Sequence, residues 1–194
     1  MHFPEGTTIT ITGDLGSGKS AVSRILCERA GFQYVSTGRI QRQLAEEMGV
    51  DTLEMNRLAD TDPGIDEKID SIFIALGNAP GNYVVDSRMA WFFLPRSYKV
   101  YLQADIHVAV ERILRDPDRN SEQYGSREEA VEKIRARKNS ENARFLKKYG
   151  ADCTLMENFD LVIDTANRKP EEVYALIVKG LESHLKGKEF PVFI

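Results

Sequence analysis

The segment Thr7-Thr8-Ile9-Thr10-Ile11-Thr12-Gly13-Asp14-Leu15-Gly16-Ser17-Gly18-Lys19-Ser20 runs from a β-branched tract into a glycine-rich turn. Residues 7–12 read as a strand, because β-branched side chains suit a pleated, half-buried surface. From Gly13 to Ser20 the order matches G-x-x-x-x-G-K-[ST] without deviation. At average glycine usage, a chance match in a chain of this length is on the order of one in a hundred or less. Beyond the turn, residues 19–30 read as a helix with Val22, Ile25 and Leu26 on one face, closed by Gly31. Strand, loop and helix in that order are the context that a phosphate loop requires.

Each part of the loop has a chemical reason. Glycines let backbone N–H groups curl around phosphate oxygens with no Cβ in the way. The helix N-terminus adds partial positive charge. Lys19 reaches the β- and γ-phosphates of ATP, and the Ser20 hydroxyl ligates Mg²⁺. Gly13, Asp14, Leu15, Gly16, Ser17, Gly18, Lys19 and Ser20 are therefore the candidate ATP-binding residues.

Outward from the loop, strands alternate with helices. Residues 32–35 read as a second strand, followed by helices over 37–48, 51–60 and 65–76, with Pro63-Gly64 separating the last two. Residues 82–85 are a third strand ending at Asp86, and 98–102 a fourth. Asp105 caps a helix to about Arg115, after which residues 115–125 have loop composition. Ser126-Arg127-Glu128-Glu129 is a capping-box signature for a long helix to about Tyr149. Residues 161–163 are a fifth strand, and Pro170 with Glu171 and Glu172 opens a last helix. The pattern predicts a three-layer α/β/α domain with a parallel sheet, which binds ligands at the carboxyl ends of its strands. Asp86 stands at such an end, where a carboxylate holds a Mg²⁺ shell through water or serves as a turn residue.

The composition excludes several classes. A formal net charge of -4 over 194 residues is a poor match to non-specific nucleic-acid binding. Cys27 and Cys153 form no CxxC pair, and His2, His107 and His184 form no metal motif. No apolar run nears the ~20 residues that span a bilayer, and the N-terminal residues have no basic, signal-like start. The expectation is one soluble, cytoplasmic domain, with a monomer as the default.

Two further segments narrow the class. Ser36-Thr37-Gly38-Arg39-Ile40-Gln41-Arg42 follows the second strand, and Asp86-Ser87-Arg88-Met89-Ala90-Trp91 the third. With Ile65-Asp66-Glu67-Lys68-Ile69-Asp70, they resemble the corresponding strings of the cytidylate kinases, in particular the short archaeal-like branch. The resemblance runs from Ile9 to about Val178. It implies a P-loop nucleoside monophosphate kinase fold with a five-stranded sheet of order 2-3-1-4-5. It also implies an acceptor-binding arm over about 37–76, a lid over about 116–126, and ATP, Mg²⁺ and CMP or dCMP as ligands.

Roles follow position by position. Ser36, Gly38, Arg42 and Asp66 fall where the family holds the acceptor, and Arg88 where it directs an arginine at the acceptor phosphate. Arg137, Glu141 and Arg144 match the region that supplies a catalytic arginine, a ribose-binding acid and a second arginine. Their spacing also puts them on one helix face, where Glu141 reads alternatively as a surface ion pair of little energetic value. Arg115 is assigned to ATP, whereas Arg112 and Arg119 read as solvated side chains. Trp91 is placed at the acceptor base, with Phe92 and Phe93 as core beneath the loop. Gln41, Ser87 and Met89 depart from residues common elsewhere in the family. Two alternatives stay open: the same fold with AMP, UMP or a small metabolite as acceptor, and an ATP-binding protein without turnover.

Overall fold

The structure is a computed structural model and describes residues 2–50, 52–116 and 124–194. Five parallel strands form one sheet: β1 (Thr8–Gly13), β2 (Gln33–Ser36), β3 (Tyr83–Asp86), β4 (Tyr98–Gln103) and β5 (Leu161–Asp164), in the order β2-β3-β1-β4-β5. The strand order is the one implied by the resemblance. All four strand pairs are parallel, with Ile11 opposite Asp86 and Val100, so the carboxyl ends of β1, β3 and β4 lie side by side.

Period-two alternation feeds a core on each face of the sheet. Ile9, Ile11, Val84, Val100, Leu102, Leu161 and Ile163 face one core, under α1 (Lys19–Ala30) and α8 (Pro170–Leu185). Val85, Tyr101 and Val162 face the other. There they meet Phe73 of α4 (Pro63–Gly77), Trp91 of α5 (Ala90–Phe93) and Phe145 of α7 (Arg127–Tyr149). A smaller cluster, Ala45, Met55, Ala59 and Ile65, joins α2 (Thr37–Met48), α3 (Thr52–Thr61) and α4. Another, with Val110, Ile113, Ala130 and Ile134, joins α6 (Ile106–Leu114) to α7.

Local signals set most boundaries. Ser36, Asp105 and Ser126 accept N–H bonds at the starts of α2, α6 and α7, and glycines in left-handed conformation close α1, α2 and α7. The break between α3 and α4 falls at Asp62, just before the Pro63-Gly64 pair that the sequence suggests. Asp62 accepts the Gly64 N–H at 2.9 Å, and Pro63 occupies the first turn of α4, where its missing N–H costs nothing. Phe92 is 40 % exposed and not core, because the short α5 turns it outward against Tyr149.

Beyond α8 the chain returns to the β5 edge. The Val162 N–H donates to Val192 at 2.6 Å, Ile194 donates back to Val162 at 3.0 Å, and Asp164 donates to Ile194 at 2.9 Å. No helix among the described residues is long and apolar enough to cross a membrane.

Candidate active site

The loop between β1 and α1 is wedged against backbone on both flanks. Gly13 has φ 145°, and a Cβ there would collide with the backbone of Leu102. Gly16 has φ 74°, and its Cβ would lie 2.5 Å from the Ala109 carbonyl oxygen on α6. Only glycine tolerates both the conformation and the approach. At the N-terminus of α1, Gly18 supplies no side-chain cap, which leaves the first-turn N–H groups facing the loop. The Lys19 ammonium donates to the Gly13 and Asp14 carbonyls at 3.1 and 2.7 Å.

A cleft of about 260 Å³ opens over this loop at the carboxyl ends of the strands. Leu15, Gly16, Gly18, Lys19 and Ser20 line one side, and Ser36, Gly38 and Arg42 another. Asp86 and Arg88 from the end of β3, and Arg137 and Glu141 from α7, complete the wall. Residues more than a hundred positions apart thus share one pocket. Backbone bonds fix the end of β3: Ser87 donates to Ile11 at 3.2 Å, and the Thr12 hydroxyl donates to Ser87 at 2.9 Å.

Glu141 organises the cations. One carboxylate oxygen lies 3.0 Å from Arg88 Nε, the other 2.8 Å from Arg137 Nε, and the residue is 4 % exposed. Burial works against its charge, but Arg88 and Arg137 outweigh burial and hold its carboxyl below the usual glutamate value. It is therefore not the surface pair that the sequence left open, because it is buried and meets a guanidinium group with each of its oxygens. Arg88 Nη2 is buried without a hydrogen-bond partner among the described residues, a donor left over for an anion. Arg42 lines the cleft with no carboxylate partner among the described residues.

Other predicted residues move out of the cleft. Trp91 is 7 % exposed and packs on Phe159 in the second core, since α5 turns its ring under the sheet and away from the cleft. Arg115 follows the last turn of α6 and points outward, 82 % exposed and 3.9 Å from Glu111. Arg112, read as solvated, lies on the inner face of the same helix. It donates to Gly16 and Thr165 carbonyls at 3.3 and 2.6 Å, and it lines the cleft. Arg144 does not line the cleft, because it is buried 3.5 Å from Asp66. Gly13, Asp14 and Ser17 support the loop from behind. Asp14 accepts the Tyr101 hydroxyl, the Ala104 N–H and the Lys138 ammonium at 3.2, 3.0 and 2.6 Å. Burial raises its pKa, but Lys138 and Ala104 outweigh that and keep it low. Arg119 and most of the expected lid lie outside the described residues.

Sequence reasoning missed Arg24, Tyr34 and Asp116, all on the cleft wall. Spacing was the available signal: Arg24 is one helical turn after Ser20, and Tyr34 is on the same side of β2 as Ser36. The Tyr34 hydroxyl donates to Asp86 at 3.1 Å, and burial, then the Asp86 charge, pushes its pKa up to about 12. A recess of about 30 Å³ continues the cleft, sharing Thr37, Gln41, Ser87, Arg88 and Glu141 with it and adding Asp66 and Asp70. Asp66 is also 3.5 Å from Lys148, and Asp70 accepts the Tyr149 hydroxyl at 2.7 Å.

Comparison with known proteins finds similar chains along nearly the whole length. The family described as "AAA domain" matches residues 9–138. The cytidylate kinase of Sulfolobus acidocaldarius is 38 % identical over 172 residues, covering 88 % of this chain and 91 % of that protein. That of Ignicoccus hospitalis is 39 % identical over 177 residues, covering 90 % and 99 %. That of Pyrococcus abyssi is 35 % identical over 188 residues, covering 96 % and 99 %. Among solved structures, shikimate kinase from Bacteroides thetaiotaomicron superposes with a TM-score of 0.60 at 13 % identity, covering 94 % and 99 %, a likeness of fold alone. With relatives this similar along nearly its whole length, and with a phosphate loop facing a set of arginines across one cleft, the chain belongs to the cytidylate kinase family.

Proposed function

We propose that this chain transfers the γ-phosphate of ATP to CMP or dCMP, releasing ADP and CDP or dCDP. The carrying observation is that one cleft holds Lys19 and Ser20 on one side and Arg42, Arg88 and Arg137 on the other. Two polyanions brought together need this many cations, and guanidinium forks suit phosphate oxygens better than ammonium groups.

In this reading the loop amides and Lys19 hold the β- and γ-phosphates, and Arg112 flanks the donor side. Arg42 and Arg88 hold the acceptor phosphate. Its ionised oxygen attacks the γ-phosphorus in line, a P–O bond forms, and the bond to the β-phosphate oxygen breaks as ADP leaves. An ionised phosphate is already a nucleophile, so no protein base is needed, and positioning with charge neutralisation carries the rate. Arg137, fixed through Glu141, lies beside the transferring group. The recess with Gln41, Asp66 and Asp70 takes the base, where a carboxylate accepts from the cytosine amino group.

Ser20 and Asp86 line the same cleft and offer hard oxygen donors, and no group of three or more acidic, His or Cys residues could hold a metal by itself among the described residues. That donor set fits Mg²⁺, which keeps several waters and binds through one or two protein oxygens plus substrate phosphates. When bound, Mg²⁺ neutralises charge on the β- and γ-oxygens. Tyr34, which donates to Asp86, would steady that carboxylate for the ion. Residues 37–76 act as an arm and 116–126 as a lid that exclude water during transfer. The chain works as a monomeric single domain.

The test is ADP release from Mg-ATP with CMP, dCMP, UMP, AMP or shikimate. The expected order puts CMP and dCMP first. Highest turnover with another acceptor overturns the cytidine assignment, and no turnover with any overturns the transferase reading.

A further inference from the structure

The carboxylate of Asp14 is an odd constituent of a loop built to hold phosphates. It is 9 % exposed and faces away from the cleft. Two of its contacts come from β4 and the residue after it, the Tyr101 hydroxyl at 3.2 Å and the Ala104 N–H at 3.0 Å. The third reaches across from α7, the Lys138 ammonium at 2.6 Å. Lys138 is the immediate neighbour of Arg137, and Arg137 shares Glu141 with Arg88. Polar contacts therefore run without a break from the phosphate loop, through Asp14 and Lys138, along one residue of α7 to the cations of the cleft.

Apolar packing holds α7 onto the body at two places. Ile134 and Phe145 bury their side chains in two different clusters on either side of this segment. Such contacts are non-directional. A charged hydrogen bond between Lys138 and a carboxylate anchored to β4 has direction. It sets where the helix sits relative to the loop at the residue beside Arg137. A displacement of about 1 Å there costs up to ~100-fold in rate, because the reacting groups lose their alignment.

We propose that the Asp14–Lys138 pair is a positioning device that registers the arginine-bearing helix against the phosphate loop. Neither residue touches the reacting atoms. The inference rests on the phosphoryl-transfer reading above, and deepens it by assigning two residues that no motif singles out for this purpose. The pair also shields the loop from its own carboxylate. With Lys138 gone and Asp14 kept, a buried negative charge would stand beneath the ATP phosphates.

The two effects separate in a set of variants. The readouts are the single-turnover rate of phosphoryl transfer at saturating nucleotides and the KM for each nucleotide. The double variant Asp14→Asn/Lys138→Met carries no unpaired charge. It is expected to lose about 10- to 100-fold in transfer rate, with both KM values within about twofold of the parent. Lys138→Met alone is expected to show the same loss plus a raised KM for ATP. Lys138→Arg, which keeps the pair, is expected to retain most of the parent rate. A parental rate in the double variant overturns the proposal, and so does Lys138→Arg being as slow as Lys138→Met. Should the double variant fail to fold, the Lys138→Arg and Lys138→Met comparison decides alone. Absence of CMP turnover in the parent protein would instead remove the functional reading itself.

Discussion

Glu141 binds two guanidinium groups with one carboxylate, and its burial turns that into a stability matter. Removing its charge leaves Arg88 and Arg137 facing each other in a site where Glu141 is 4 % exposed. Glu141→Gln is expected to cost about 3 kcal/mol or more, read as a lowered Tm, because breaking a buried ion pair strands its partners. The pH dependence has a definite sign. The folded state holds Glu141 below the ordinary glutamate value of 4.5, so the unfolded chain binds the proton first. Its contribution is complete above about pH 4.5 and fades as pH falls through the folded value. The parent protein should therefore lose Tm more steeply on the acid side than Glu141→Gln; equal acid slopes would show that the carboxylate carries no such load. The phosphate loop was legible because its glycines, Lys19 and Ser20 are contiguous. The burial of Glu141, Arg144 and Asp14 was not, since it depends on partners up to 124 residues away.

Among the elements, α7 bridges several others. Its first turn meets α6, its middle meets the loop and the cleft, and its last turns meet α4 through Arg144, Lys148 and Tyr149. Its start rests on Ser126, which accepts the Glu129 N–H at 3.1 Å. Ser126→Ala is expected to lower stability by about 1 kcal/mol, measurable by urea titration, while Ser126→Asp stays near the parent. An unchanged midpoint in Ser126→Ala would mean that neighbouring packing alone sets the helix start. Caps, glycines and apolar periodicity placed α1, α2, α6 and α7 almost to the residue. The signals failed where they were ambiguous. Pro63-Gly64 fits a break as well as a first turn, and α5, at four residues, is too short to show a period. Arg112 and Arg115 could not be told apart without the axial rotation of α6, which Ala109, Val110 and Ile113 fix by packing.

At the scale of the whole molecule, a sheet order with β1 at its centre brings the ends of β1 and β3 together, and Lys19, Asp86 and Arg88 gather over that seam. Strand alternation predicted the layers. It did not predict how α4 leans on α7, because that contact is made by polar pairs between segments some eighty residues apart.

The segment that lies along β5 covers an edge of the sheet. A bare outer strand offers unpaired N–H and C=O groups to any other chain in solution, and residues 192–194 occupy them at Val162 and Asp164. Deleting those three residues is expected to make the sedimentation coefficient climb with concentration more steeply than in the parent, while an unchanged dependence would show β5 to be protected by other means. Residues 192–194 thus cover the outer side of β5 with main-chain bonds that no side-chain motif announces.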